Sequence, residues 1–436
     1  MKSIKIAITL IVLGLAQPFR AQNAPNDSLT LKNILTQVMD NYPAIKKSLQ
    51  DQSAASARID VAKSGYKPDI SINGTYTHVD PVSQFELPGL GAMKLNPSEN
   101  YAASLNINQI IYDFGRTSSA VAIEKQGKDI ALLTTEQLKQ RISVAVINSY
   151  YAISFLQEAI KIKEEQLNNL LEHLHFVEKK KETGSATQYE ILTTKVKISA
   201  IENQKTDLQS NLKVQTCQLN SLLGQPQNSP IMVKEELQQA QTLDPTDSLY
   251  SQATQARFEI KLAQQKVALS QLRYKAIHSQ YNPSLNFFAR GGINNGFEPD
   301  IYKGTWNYAV GVGIRVPIYD SGRTNSTLRM VKADIEGNNQ EVELTRRNIL
   351  NEVTETQSNS LSALQKIEQS NLQLEQALQA YNLATTSFKS GAITNMELLD
   401  SSTSLSEARL SLLKSKIDYT LSLYKLQLAT GKQIYW

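Results

Sequence analysis

The hexapeptide Ile111-Tyr112-Asp113-Phe114-Gly115-Arg116 is written twice, returning 207 residues later as Ile318-Tyr319-Asp320-Ser321-Gly322-Arg323. Each copy follows an alternating run and opens a long polar stretch of helical period. Tyr-Asp-x-Gly-Arg therefore reads as a joint at which a strand becomes a helix. Gly115 and Gly322 let the backbone turn, and Asp113 and Asp320 can accept from the free N–H groups of a starting helix. Downstream of the joints the chain repeats at the same offset: Gly391 answers Gly184, Leu398 answers Ile191, Leu405 answers Ile198 and Gly431 answers Gly224. Upstream the offset is 215, with Tyr281-Asn282-Pro283 answering Tyr66-Lys67-Pro68, so the first copy carries eight extra residues between its strands. The length change falls in a loop, where insertions are tolerated. The chain is one unit duplicated.

Period assigns the elements within each copy. Residues 30–63 have apolar positions at helical intervals, interrupted at Pro43. Strands are expected at about 68–79 and 102–112, where Ile70, Ile72, Gly74 and Tyr76, then Ala103, Leu105 and Ile107, alternate with polar residues. Residues 80–100 have no period and read as a loop. From Thr117 to Glu182 there is no proline, and Val146, Ile153, Ile160, Leu167 and Leu174 recur every seven residues. A second row, Leu156, Leu170 and Val177, is breached at Ser149 and Lys163. This is a coiled-coil seam. A turn at 183–187 sends the chain back through Ile191, Ile198, Leu212 and Leu219, making 117–223 a helical hairpin. Residues 224–250, with Pro226, Pro230 and Pro245, form a linker beside it. The second copy, 251–431, repeats this order: a helix at Phe258–His278, strands at about 284–292 and 306–318 around a Gly-rich loop, and a hairpin over 324–431. Its seam is Val353, Ile367, Leu374 and Tyr381, with small residues Ala363, Ala377 and Ala384 beside it. Residues 432–436 end the chain.

Hydrophobic residues make up 41% of the chain, with Gln, Asn, Ser and Lys between them. That suits long helices with a narrow buried seam better than a thick core. Lys2 and Lys5 flank a short apolar run, Ile6–Leu15, too short to span a bilayer, so residues 1–21 read as a signal peptide cleaved after Ala16 or Ala21. The net charge of +4 includes Lys2, Lys5 and Arg20 of that leader. No basic block with interleaved aromatics follows, which excludes a nucleic-acid partner. Cys217 is the only cysteine, so no disulfide framework or lipidated N-terminus is expected; it reads as a small packed residue.

An exported chain with no apolar run of helical length after its leader is either soluble or enters a membrane by strands. Four strands of about ten residues, apolar on one face, fit transmembrane β-strands. Four cannot close a barrel, and open edges are not viable in lipid, so several identical chains must contribute; three would give twelve strands. Tyr66, Tyr112, Tyr281 and Tyr319 stand at strand ends, where interfacial aromatics belong. The rival reading is an exported structural or adhesive coiled-coil protein without a pore, and a free-standing nutrient porin has no use for such helices. No catalytic set is arranged: His173 and His175 lie on different faces of one helix and read as surface residues, and Gly291-Gly292-Ile293-Asn294-Asn295-Gly296 lacks the strand-to-helix context of a dinucleotide site. No enzyme, cofactor or metal is expected.

The duplicated helix–strand–loop–strand–helix order, the Tyr-x-Pro strand starts and the Tyr-Asp-x-Gly-Arg exits resemble the TolC-like outer-membrane efflux protein family. So do the hairpin turns Gly184/Glu190 and Gly391/Glu397. The resemblance covers nearly the whole mature chain. It implies an α+β membrane protein: a homotrimer whose twelve-stranded β-barrel in outer-membrane lipid is continued by a periplasmic α-helical coiled-coil barrel. Such a duct serves a tripartite efflux pump or a type I secretion system, with a periplasmic adaptor (membrane fusion) protein and an inner-membrane transporter as partners. The adaptor would dock at the hairpin tips, near Gly184, Ser185, Gly391 and Thr394. The family's acidic pair at the closed periplasmic mouth maps onto Glu397 and Asp400. Ile393 stands where the best-known members have an arginine that helps latch that mouth, so the latch here would differ.

Overall fold

The structure, a computed structural model, describes residues 29–87, 89, 91–234 and 236–434. The expected leader, residues 22–28 that follow it and residues 435–436 lie outside the described residues. The described residues begin with α1 (Leu31–Asn41) and α2 (Pro43–Ser64), then β1 (Asp69–His78), β2 (Gln84–Leu87), β3 (Gly91–Lys94) and β4 (Glu99–Tyr112). Next come α3 (Arg116–Glu182) and α4 (Gln188–Leu223), then α5 (Thr246–Ala256), α6 (Phe258–His278), β5 (Ser284–Asn294) and β6 (Thr305–Arg315). The chain closes with α7 (Arg323–Lys389) and α8 (Asn395–Ala429). Helices α3 and α7 each run 67 residues, about 100 Å at 1.5 Å per residue.

The helix expected over 30–63 is two helices. Tyr42 takes an extended ψ of 125° before Pro43, whose ring disfavours a helical residue ahead of it and suits the first helical position. The same break recurs 215 residues later at Arg257, ψ 129°, without a proline. There the side chain holds the bend: Arg257 donates to Glu259 Oε2 at 2.9 Å, Glu352 Oε2 at 2.8 Å and the Leu428 carbonyl at 3.2 Å.

Strands β1, β4, β5 and β6 form one antiparallel sheet in that order. Ile72 faces Leu105, Leu105 faces Gly291 and Gly291 faces Tyr308, so one face is apolar across all four strands. Asn73, Ser104, Gly292 and Asn307 share the other face, which is polar. The apolar face is open: Ile72 is 80% and Tyr308 85% exposed in the single chain. The 80–100 segment, read from sequence as a loop, contains the β2–β3 hairpin, whose four-residue strands are too short to show a period. Strand β6 stops at Arg315, two residues before Pro317, which has no N–H for a ladder.

The largest core lies where α1 packs on α3, α4 and the segment around Ile231 and Val233. Tyr150 and Tyr151 are fully buried there and donate to the carbonyls of Lys234 (2.5 Å) and Glu236 (2.7 Å). Smaller apolar clusters continue along the hairpins to their tips, including Leu170, Ile198, Ile201 and Leu399. The two breaches of the second heptad row are themselves buried, Ser149 to 9% and Lys163 to 5% exposure. Lys163 keeps its ammonium bonded to Gln166 Oε1 and Ser406 Oγ, both at 3.1 Å. Among the described residues no helix is long and apolar enough to cross a membrane.

Candidate functional site

The two hairpin tips are built alike. Gly184 and Gly391 sit just past the ends of α3 and α7 with φ of +74° and +80°, and their N–H groups close on the carbonyls of Lys181 (2.9 Å) and Phe388 (3.1 Å). The returning helices start with capping boxes. The Glu190 carboxylate accepts the Thr187 N–H at 2.7 Å, and Glu397 accepts the Thr394 N–H at 2.7 Å and its hydroxyl at 2.9 Å. The Gly-x-x-x-x-x-Glu signature is thus a left-handed stop followed by a capped start. The Thr394 N–H, then its hydroxyl, hold the Glu397 carboxyl below the usual carboxylate range. Glu397 therefore has a capping task that its counterpart Glu190 shares, a role legible in Thr-x-x-Glu that the acidic pairing with Asp400 obscures. Both bonds use Oε2, leaving Oε1 without a hydrogen bond among the described residues on an exposed side chain. Asp400 lies about one turn further along α8, exposed. Ser185 is exposed at the other tip, within 3.4 Å of the Thr183 hydroxyl.

Ile393, in the arginine position of the resemblance, packs into an apolar cluster of Val177, Ile191, Phe388 and Leu398. The polar fastening lies one residue beyond the Thr394 cap. Asn395, the first residue of α8 and buried, accepts from His173 Nε2 of α3 at 2.6 Å. Its amide donates to Glu190 O, Thr193 Oγ and Thr194 Oγ of α4, each at 3.2 Å. One side chain so ties the second hairpin to both helices of the first. Lys180 adds a bond to the Phe388 carbonyl at 3.3 Å, with its ammonium 4.8 Å from that ring. A cleft of about 230 Å³ lies beside this contact, lined by His173, Phe176, Tyr381 and Phe388. His173 is thus half-buried and bonded across helices rather than a surface residue, while His175 is exposed. Asn395 carried no sequence signal, because a lone Asn after a cap looks like any helix start.

Burial holds the His173 imidazole below its ordinary pKa, and the Lys180 ammonium adds to this; the Asn395 bond and Glu190 oppose it in part. Glu172 and Lys389 also line the cleft. A base depressed in the joined state binds fewer protons there than when the hairpins part. Joining is then fully favourable above the ordinary value of about 6.5 and is lost as pH falls through the depressed one. Hydrogen-exchange protection of residues 395–402, corrected for intrinsic rates, is expected to fall about tenfold between pH 7.5 and 5. Unchanged protection, or the same fall in His173→Gln, would refute the role of this ring.

At the joints, burial of Asp113 opposes its ionisation. The Thr117 hydroxyl, the Thr117 N–H (2.7 Å) and the Gly115 N–H (3.1 Å) outweigh it and lower its pKa. Asp320 repeats the pattern with Thr324 and Gly322. Gly115 and Gly322 precede their helices with φ of +100° and +77°. Both Tyr112 and Tyr319 are exposed, and Tyr112 also packs edge-on against Phe114 at 4.6 Å. Arg116 reaches across the duplication and donates to the carbonyls of Ser279 (3.1 Å), Gln280 (3.0 Å) and Asn282 (2.5 Å). Arg323 is exposed: its charge helps to lower the Asp320 carboxyl, but its guanidinium makes no hydrogen bond among the described residues.

A four-stranded sheet with an open apolar face, joined to two long helical hairpins with fastened tips, is the architecture of a membrane-inserted protein. Residues 34–225 and 249–432 match the family model of the outer membrane efflux protein. The chain belongs to that family. It is 22% identical over 340 residues to the alkaline protease secretion protein AprF of Pseudomonas aeruginosa, covering 76% of this chain and 70% of that protein. It is 19% identical over 444 residues to the outer membrane protein TolC of Escherichia coli, covering 99% and 86%. Among solved structures, CusC superposes with a TM-score of 0.74 at 20% identity, over 92% of each chain. VceC from Vibrio cholerae superposes with 0.76 at 18%, over 92% and 96%. The fold is therefore that of the TolC-like channels. The chain is an outer-membrane exit duct for efflux or secretion, placed in the outer membrane of a Gram-negative cell and extending into the periplasm.

Proposed function

We propose that the working form is a passive homotrimer without catalysis or cofactor. In it twelve strands close a barrel in outer-membrane lipid, and the paired helices continue it as a tunnel to a periplasmic adaptor and an inner-membrane transporter. The sheet carries this reading: its apolar face is continuous across four strands, yet both edges, β1 and β6, are unpaired. Unpaired edges are not tolerated in lipid, and three copies remove all of them. Exposed aromatics support a membrane boundary at each end of the strands, Tyr66, Tyr112 and Tyr281 at one and Tyr76, Trp306 and Tyr308 at the other. Heat-modifiable trimers in outer-membrane fractions are the expected observation; a monomeric periplasmic protein would defeat the proposal.

The gate is proposed at the tips, where Glu397 Oε1 and Asp400 of three copies would form a ring of carboxylates attracting cations and resisting anions. Single-channel conductance with added di- and trivalent cations tests it. Glu397→Gln with Asp400→Asn is expected to weaken cation block at least about tenfold; unchanged block would remove the assignment. Adaptor docking is proposed at the surface of Gly184, Ser185, Gly391 and Thr394. Ser185→Cys is the better cross-linking site, because the Thr394 hydroxyl accepts the Glu397 N–H and a substitution there disturbs the cap.

A further inference from the structure

The two joints are equivalent in backbone and in bonding, but only one has found its target. Phe114 and Ser321 share a positive φ (51° and 58°), and Asp113 and Asp320 make the same three bonds. The backbone therefore presents the two arginines alike, although the Arg323 side chain lies near Asp320 while Arg116 reaches away from its joint. Arg116 is spent on three carbonyls of the turn before β5. The corresponding turn of the first copy, 215 residues earlier, is Ser64–Lys67 before β1. It has the same internal bond: Lys67 N–H to Ser64 O at 2.8 Å, against Asn282 N–H to Ser279 O at 3.1 Å. Ser279 is buried under the first joint, whereas Ser64 and Lys67 are exposed. The fold thus holds one arginine without a carbonyl turn and one carbonyl turn without an arginine, at opposite edges of the same sheet.

Resting on the oligomeric reading above, we propose that Arg323 clamps the carbonyls of Ser64, Gly65 and Lys67 of the neighbouring copy, repeating between chains the Arg116 clamp within one. The duplication also sets the register of the strands that would meet. Within the chain Leu105 faces Gly291 and Ile107 faces Ala289. Moving the β4 residue forward by 207 and the β5 residue back by 215 places Val312 opposite Tyr76 and Ile314 opposite Gly74 of the neighbour. Each of these residues lies on the apolar face of its own strand. A slip of one residue would put polar positions into lipid, so parity agrees with the transferred register. The occupant of each free edge is a second copy of this chain, and the ring closes when every edge is filled.

Cysteine pairs read the register directly in the full-length protein, with Cys217→Ser removing the native thiol. In one chain β1 and β6 are separated by three strand spacings, about 14 Å, too far for a disulfide. Any bridge between them is therefore intermolecular. Tyr76→Cys with Val312→Cys is expected to give covalent oligomers on mild oxidation, and Tyr76→Cys with Val310→Cys, two residues out of register, at least about tenfold less. Arg323→Ala is expected to shift the heat-resistant oligomer towards monomer at least about tenfold, the weight of one charge-assisted hydrogen bond, and Arg323→Lys, which lacks the fork, to restore little of it. Efficient bridging of the shifted pair with none of the predicted one overturns the register. An Arg323→Ala oligomer as heat-resistant as the parent overturns the clamp. Neither result touches the duct reading, which fails separately if no pair bridges and the protein is monomeric.

Discussion

Replacing Gly431 by alanine is expected to destabilise the protein by about 3 kcal/mol, whereas the same change at its duplicate, Gly224, costs about 1 kcal/mol. Both glycines end a returning helix in the left-handed region, with φ of +83° and +71°. Both therefore carry the strain that a Cβ meets there. Their surroundings differ. A Cβ on Gly224 would meet nothing within 4 Å, whereas one on Gly431 would lie 2.6 Å from Ala256 Cβ and 3.0 Å from the Arg257 nitrogen. That is the bend between α5 and α6, which Arg257 pins through the Leu428 carbonyl at the end of α8. An alanine must push the bend away from the helix end that it caps. Denaturant unfolding of the detergent-solubilised protein, followed by circular dichroism, checks the pair. Equal losses at the two sites would mean that the bend yields and that α5–α6 is not rigidly seated.

Gly292→Ala is expected to prevent assembly of the sheet, reducing folded, heat-modifiable protein in the outer membrane at least about tenfold, at a cost of about 3 kcal/mol. Its neighbour Gly291→Ala should assemble normally. The two residues point to opposite faces of β5. Around Gly291 there is open space, but a Cβ on Gly292 would collide with the Ala103 carbonyl and lie 2.8 Å from Ser104 Cα. Those atoms are backbone of β4, the adjoining strand, so relief requires parting the ladder that joins the two halves of the duplication. Normal yields of both variants would show that β4 and β5 separate easily, and would undercut a sheet held by that pairing. A loss in both would point instead to a general intolerance of β5 to side chains.

The element types were legible because each period reports one geometry. Alternation marked β1, β4, β5 and β6, seven-residue spacing marked the hairpins, and Tyr-Asp-x-Gly-Arg marked the joints whose Asp113 and Asp320 accept helix N–H groups. Signals were weak where an element was short or a residue had two uses. The β2–β3 hairpin has too few residues for a period, and Glu397, proposed here as an acid of the gate, also closes a capping box. Ile393 stands in place of the family's latch arginine, so a different fastening is expected here. The chain packs that residue in apolar surroundings and fastens the hairpins through Asn395 and His173 instead.

By itself the amino-acid sequence determined the duplication, the order and kind of the long elements, and the apolar face that calls for a membrane, since these follow from local period and from what lipid forbids. Only the tertiary structure decided which duplicated positions are equivalent in energy. Gly224 and Gly431, and Arg116 and Arg323, are matched in sequence and in backbone. They differ because each first-copy and second-copy residue meets a different neighbour when a repeating unit is folded against itself, with its outer edges left free. Contact across an interface is a property of two surfaces, and one of them is always distant in the chain.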